Sequence, residues 1–153
     1  MYKKILLPTD GSLNAEKAGK HALWLANTSN AEIVVLYVYE LYSPRIGVLP
    51  LSIVPGSNET LYEPLKEEGK KYAYEFKEKL KILEAEKGYK NIKITAVIEE
   101  GRPYNAILNM IESENFDLVV MGASGKHGLD RYTLGSVTER VVRETKKPVL
   151  VIP

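Results

Sequence analysis

Short, nearly unbroken apolar runs alternate along this chain with longer stretches whose apolar residues recur every three or four positions. That alternation constrains the fold more than any other feature. Ile5-Leu6-Leu7, reached through Tyr2-Lys3-Lys4, reads as a buried strand ended by Pro8. Ala15, Ala18, Ala22, Leu25 and Ala26 follow at helical spacing, with Lys17 and Lys20 on the other side. Ser12 or Asn14 can cap this helix, and Glu16 suits its first turn. EIVVLYVY, residues 32 to 39, is β-branched and aromatic and predicts a second strand. Leu61, Leu65, Tyr72, Phe76, Leu80 and Leu83 predict a long amphipathic helix over 59–87, ending at Gly88. Gly69 inside it marks a close contact or a bend. NIKITAVIEE supplies a third strand, and Gly101-Arg102-Pro103 opens a helix carrying Ile107, Met110 and Ile111. FDLVVMG is the fourth strand, SVTERVVRETKK the last helix and PVLVIP the final strand.

Strands that are apolar throughout must be covered on both faces, whereas a strand with one wet face alternates. The order β-α-β-α-β-α-β-α-β therefore predicts an α/β fold, a parallel sheet with helices on both faces. At 153 residues the chain is expected to form one domain, 1–153. In such sheets ligands bind beyond the carboxyl ends of the strands, near the switch in strand order. Two segments fall there with unusual chemistry: Pro8-Thr9-Asp10-Gly11-Ser12 after strand one, and VVMGASGKHGLDRYTLGS, residues 119 to 136, at the end of strand four.

The second segment leaves an apolar run at Met121 and places glycines as Gly122-x2-Gly125-x9-Gly135-Ser136. Glycine lets a ligand approach the backbone where a Cβ would clash. Backbone N–H groups in such a turn, and at the start of the helix near Ser136, form an anion site. Ser136 can cap that helix or donate to a phosphate oxygen, and Lys126, His127 and Arg131 add donors or charge nearby. Neither the Walker A pattern nor the G-x-G-x-x-G dinucleotide fingerprint fits. From the residues alone, a phosphate-binding loop and a loop whose glycines merely relieve crowding both remain open.

The rest of the chain narrows the classes. There are no cysteines, which excludes a disulfide scaffold, thiolate metal sites and thiol catalysis. The formal charge of +1 gives no field for nucleic acid or an anionic membrane surface. No segment approaches the ~20 apolar residues needed to span a bilayer, and MYKKILLPTDGS is no signal peptide, so the expected location is cytoplasmic. No paired carboxylates, His-x3-His or Ser-His-Asp arrangement suggests a dedicated reaction centre. Residues 40 to 58 hold Pro44, Pro50 and Pro55 among several apolar residues, a long irregular connection expected either to be functional or to be an idle surface loop.

KKILLPTDGS at the start, EGRP between, and DLVVMGASGKHGLDRYTLGSVTERVVRETKKPVLVIP at the end resemble the universal stress protein family, over the whole chain. The spacing G-x2-G-x9-G-[ST] resembles that family's ATP-binding signature and is unbroken. The resemblance implies an open five-stranded parallel sheet of order 3-2-1-4-5, the adenine nucleotide alpha hydrolase-like fold. It implies that Asp10 contacts the ribose, that Pro8 and Thr9 line the nucleoside, and that Val38 meets adenine through its backbone. Met121, Gly122 and Gly125 then form the ribose and phosphate turn, and Gly135, Ser136 and Val137 the phosphate-binding helix start. The implied ligand is ATP with Mg2+ or Mn2+ bridging its phosphates. The expected function is a regulatory or stress-response module whose nucleotide occupancy sets a conformation or a partner. The alternative is a slow ATP hydrolase or an adenylating enzyme on the same scaffold. PVLVI, apolar and placed at a sheet edge by the implied order, predicts a homodimer through the C-terminal strand.

Overall fold

Ile5, Leu6 and Leu7 have no exposed surface, as the middle strand of a sheet covered on both sides requires. In a computed structural model, described over residues 1–40, 58–89, 91–124 and 134–153, they lie in β1 (Lys4–Thr9). The other elements are α1 (Leu13–Ser29), β2 (Glu32–Tyr39), α2 (Asn58–Glu86), β3 (Ile94–Glu100), α3 (Pro103–Ser113), β4 (Leu118–Gly122), α4 (Ser136–Glu144) and β5 (Val149–Ile152). All pairings are parallel and the order is β3-β2-β1-β4-β5, as the resemblance implied. This is the adenine nucleotide alpha hydrolase-like architecture. Most of the long connection, 41–57, lies outside the described residues.

Side chains alternate across the sheet and build two cores. Ile5, Leu7, Ile33, Val35 and Val120 face one side, where α1 brings Ala18, Ala22 and Leu23 and α2 brings Phe76 and Leu80. Leu6, Val34, Leu36, Val119 and Met121 face the other, against Ile107, Met110 and Ile111 of α3 and Val141 of α4. Gly69 is a contact rather than a bend, since a Cβ there would lie 3.4 Å from the Tyr37 ring. Tyr37 in turn stacks on Tyr72 with ring centroids 5.5 Å apart. Gly88 closes α2 in the left-handed region at φ +70°, with Tyr89 N–H reaching back to Glu84 O. The buried Glu84 carboxylate takes Ile92 N–H at 2.8 Å and Lys81 Nζ at 2.8 Å, tying the helix to the approach of β3.

Three local expectations change. Ser12 alone caps α1, accepting from Ala15 N–H at 3.2 Å, while Asn14 is engaged elsewhere. The last helix stops at Glu144 rather than Lys147. Thr145 leaves helical backbone at ψ 147°, and its Oγ1 takes Lys147 N–H just before Pro148. Pro8 does not end the first strand, because β1 continues to Thr9 in register with Tyr37.

Candidate functional site

Pro8 shows how the sheet opens. Lys3 O accepts from Glu32 N–H on the β2 side, and Lys4 O accepts from Asp117 N–H on the β4 side. Successive residues of a parallel strand point their backbone groups to alternate neighbours, so Leu6 and Pro8 turn toward β4. The β1–β4 ladder holds only Ile5 against Leu118 and Leu6 against Val119. Beyond it, β1 stays with β2 as far as Thr9–Tyr37, and β4 stays with β5 as far as Gly122–Ile152. Pro8 therefore lacks a donor where no neighbouring strand would receive one. The two central strands part at their carboxyl ends, at the switch point of the sheet order.

A cavity of about 330 Å³ occupies the gap, within the usual range for small-molecule sites. Of the ten residues assigned by resemblance, nine line it: Pro8, Thr9, Asp10, Val38, Met121, Gly122, Gly135, Ser136 and Val137. Gly125 lies outside the described residues, as do Lys126, His127 and Arg131. On the β2 side the wall is apolar, Leu36 and Val38 facing Pro103 and Ile107 of α3. On the β4 side it is polar, with Ser124, Ser136 and the first turn of α4.

That first turn is built to donate. Gly135 is the N-cap and offers no side-chain cap, so Ser136 is the first helical residue and not the cap. The first backbone bond of the helix runs from Glu139 N–H to Gly135 O at 2.9 Å. The N–H groups of Ser136, Val137 and Thr138 find no acceptor among the described residues. With the dipole of α4 behind them, they favour a negatively charged occupant. Thr138, buried, instead sends its hydroxyl to Gly122 O at 2.8 Å and locks α4 to the end of β4.

Asp10 stands at the rim, its Oδ1 taking Ser12 N–H at 3.0 Å in a turn that fixes the carboxylate. The Tyr37 hydroxyl is pushed above its ordinary pKa first by burial, then by Tyr72, Glu68 and Asp10. Gly122 has a packing reason for its missing side chain: a Cβ would lie 2.9 Å from the backbone carbonyl carbon of Asn14. The bare backbone there admits α1. Among the described residues no three His, Asp or Glu side chains gather to hold a metal ion.

Several wall residues carried no functional reading in the sequence. Leu36 is two residues from Val38 and so on its face, and Pro103 and Ile107 are one helical turn apart; periodicity alone would have paired them. Ser124 and Thr138, and Asn14 that binds Ser124 without lining the cavity, had no such signal, because their roles depend on contacts across 16 or more positions.

The fold and its cavity define a doubly wound α/β protein with a small-ligand crevice at the switch point. The sequence model of the universal stress protein family matches residues 1–153. The chain is 43% identical to universal stress protein MJ0531 of Methanocaldococcus jannaschii over 99% of its length and 82% of that protein. It is 36% identical to MJ0577 of the same organism, covering 99% of this chain and 95% of that one. The solved structure of MJ0577 superposes with a TM-score of 0.79 over 99% and 96% of the two chains. A universal stress protein in complex with cAMP, 24% identical, shares the fold at a TM-score of 0.67 over 99% and 97%. The chain belongs to the universal stress protein family.

Proposed function

We propose that the crevice between β1 and β4 binds ATP, and that the protein is a regulatory or stress-response module whose nucleotide occupancy sets its conformation or its partner. The observation that carries this reading is the asymmetry of the cavity: an apolar slot on the β2 side, suited to a base, opposite helix N–H groups that find no acceptor among the described residues, suited to phosphate. The cAMP held by a relative of the same fold supports an adenine nucleotide. In this reading adenine lies against Val38, Asp10 accepts from the ribose hydroxyls, and Gly135, Ser136 and Val137 hold the phosphates. A divalent cation, Mg2+ or Mn2+, would neutralise phosphate charge. With Asp10 the one carboxylate among the described lining residues, it would take its ligands mainly from phosphate oxygens and water.

The test is mass spectrometry of nucleotide released from the purified, denatured protein, followed by calorimetry with ATP and steady-state phosphate release. Bound ATP with negligible turnover supports the module. Sustained release of phosphate favours the slow hydrolase, and failure to bind ATP refutes the reading. Backbone pairing of the edge strand β5 with its copy would cover Val149, Leu150 and Val151, each partly exposed, and so supports a homodimer.

A further inference from the structure

Ser124 lines the cavity on the β4 side, and its hydrogen bonding is set by Asn14 of α1, the helix packed against the end of β4. Asn14 Nδ2 lies 3.1 Å from Ser124 O and 3.0 Å from Ser124 Oγ. A carbonyl oxygen can only accept, so the amide must turn its NH2 toward Ser124 rather than its oxygen. The second hydrogen of that NH2 then goes to the hydroxyl oxygen. A hydroxyl that accepts there keeps its own hydrogen for another partner, and no described residue offers it an acceptor. The stem that carries Ser124 is fixed on both sides. Ala123 N–H donates to Ile152 O at 2.7 Å, and Gly135 N–H donates to Ala123 O at 2.7 Å. Residues 123 and 135 are thus held together, which places Ser124 beside the first turn of α4.

We propose that Ser124 is a specificity-determining hydrogen-bond donor to a phosphate oxygen of the bound nucleotide, and that Asn14 is a positioning residue acting through it. This rests on the nucleotide reading above. An ionised phosphate oxygen is an acceptor with no proton of its own, which complements both the spare Ser124 hydrogen and the N–H groups of α4. Adenosine has no such group and makes no use of Ser124. The pair therefore selects phosphorylated nucleosides over the bare nucleoside, while the apolar wall serves both.

The test is calorimetric titration of ATP and of adenosine into the wild type, Ser124→Ala, Ser124→Thr, Asn14→Ala and the Asn14→Ala/Ser124→Ala double variant. Loss of one hydrogen bond to a charged group lowers affinity by about tenfold or more. Ser124→Ala is expected to lose that much for ATP and nothing for adenosine, with adenosine binding doubling as a check on folding. Ser124→Thr, which keeps the hydroxyl, should restore ATP affinity. Asn14→Ala should weaken ATP in the wild-type background and add little in Ser124→Ala, the non-additivity expected of residues acting through one bond. An unchanged ATP-to-adenosine ratio in Ser124→Ala overturns the assignment. Equal losses from Asn14→Ala in both backgrounds overturn the positioning role. A wild type that binds neither ligand overturns the nucleotide reading itself.

Discussion

Replacing Gly122 with alanine separates two reasons for a glycine in the same place. An ideal Cβ on Gly122 would sit 2.9 Å from the carbonyl carbon and from the Cβ of Asn14, and 3.1 Å from its carbonyl oxygen. The carbonyl atoms belong to the backbone of α1 and have no rotamer by which to escape. The first turn of the helix must therefore move off β4 by several tenths of an ångström, against the pull of the Asn14–Ser124 bonds. Overpacking of this kind costs about 1–3 kcal/mol. In a chain of this size each kcal/mol is worth about 2–4 °C of Tm. The ligand-free variant should accordingly melt about 2–12 °C below the wild type by calorimetry or thermal circular dichroism. If the glycine served only to let a ligand approach, the ligand-free Tm would not change and the whole effect would fall on ATP affinity. An unchanged ligand-free Tm refutes the packing argument.

Gly69→Ala should do the opposite. Its Cβ would meet Tyr37 at 3.4 Å and Tyr39 at 3.5 Å, ordinary contact distances, and alanine is worth roughly 0.5–1 kcal/mol over glycine inside a helix; a lower Tm would mean that the tyrosines cannot accommodate the methyl group. Asp10→Ala should narrow the gap between ATP and 2′-deoxy-ATP binding, if the carboxylate accepts from the ribose hydroxyls; equal losses for both nucleotides would place Asp10 elsewhere. The chain of 17.2 kDa should scatter light as a dimer, and Val151→Lys on the edge strand should shift it to monomer with ATP binding intact; a monomeric wild type refutes pairing through β5. Asp117 takes the N–H groups of Lys3 at 2.8 Å and Lys4 at 3.0 Å, and those bonds lower its carboxyl pKa below the ordinary 3.8. A lowered folded pKa stabilises above the unfolded value and is lost as pH falls through the folded one. The Tm difference between wild type and Asp117→Asn should therefore be complete at neutral pH and close as pH drops below 3.8; a gap that persists in acid would assign it to shape rather than charge.

The strands were legible because burial on both faces leaves a mark that needs no partner to interpret: Ile5-Leu6-Leu7 and VVLY can be apolar throughout only between two layers. Helix stops were legible where a single residue sets them, as Gly88 does, whereas the start of α1 was narrowed only to Ser12 or Asn14. They failed where the decision is shared. Nothing in VVRETKK distinguishes a helix ending at Glu144 from one ending at Lys147, since Thr145 ends it through a bond to Lys147 N–H that forms only once the chain has turned. Strand order was not readable from any one strand and came from the resemblance alone. The same holds for the end of β1, where Pro8 looked like a stop. A proline is forbidden only where its absent N–H would be missed, and the parting of β1 from β4 removes that demand.

Gly122 shows what family resemblance transfers and what it does not. The resemblance implies a ligand contact for Gly122, and Gly122 lies on the wall of the cavity with Met121 and the start of α4. The reason the resemblance implies is bare backbone for a ligand. Packing adds a second: α1 rests on it, and the helix that rests there delivers Asn14 to Ser124. A glycine on a ligand loop and a glycine under a helix have the same spacing in a sequence, because both demand only the absence of a Cβ. Here the second requirement serves the first. The close approach of α1 to β4 sets the distance across which Asn14 reaches Ser124, and with it the direction in which a hydroxyl donates. Packing at this position and polarity in the cavity are therefore one constraint. A substitution that relieves one without disturbing the other would have to enlarge residue 122 while leaving both the 3.0 Å and 3.1 Å bonds of Asn14 in place, which the 2.9 Å approach does not allow.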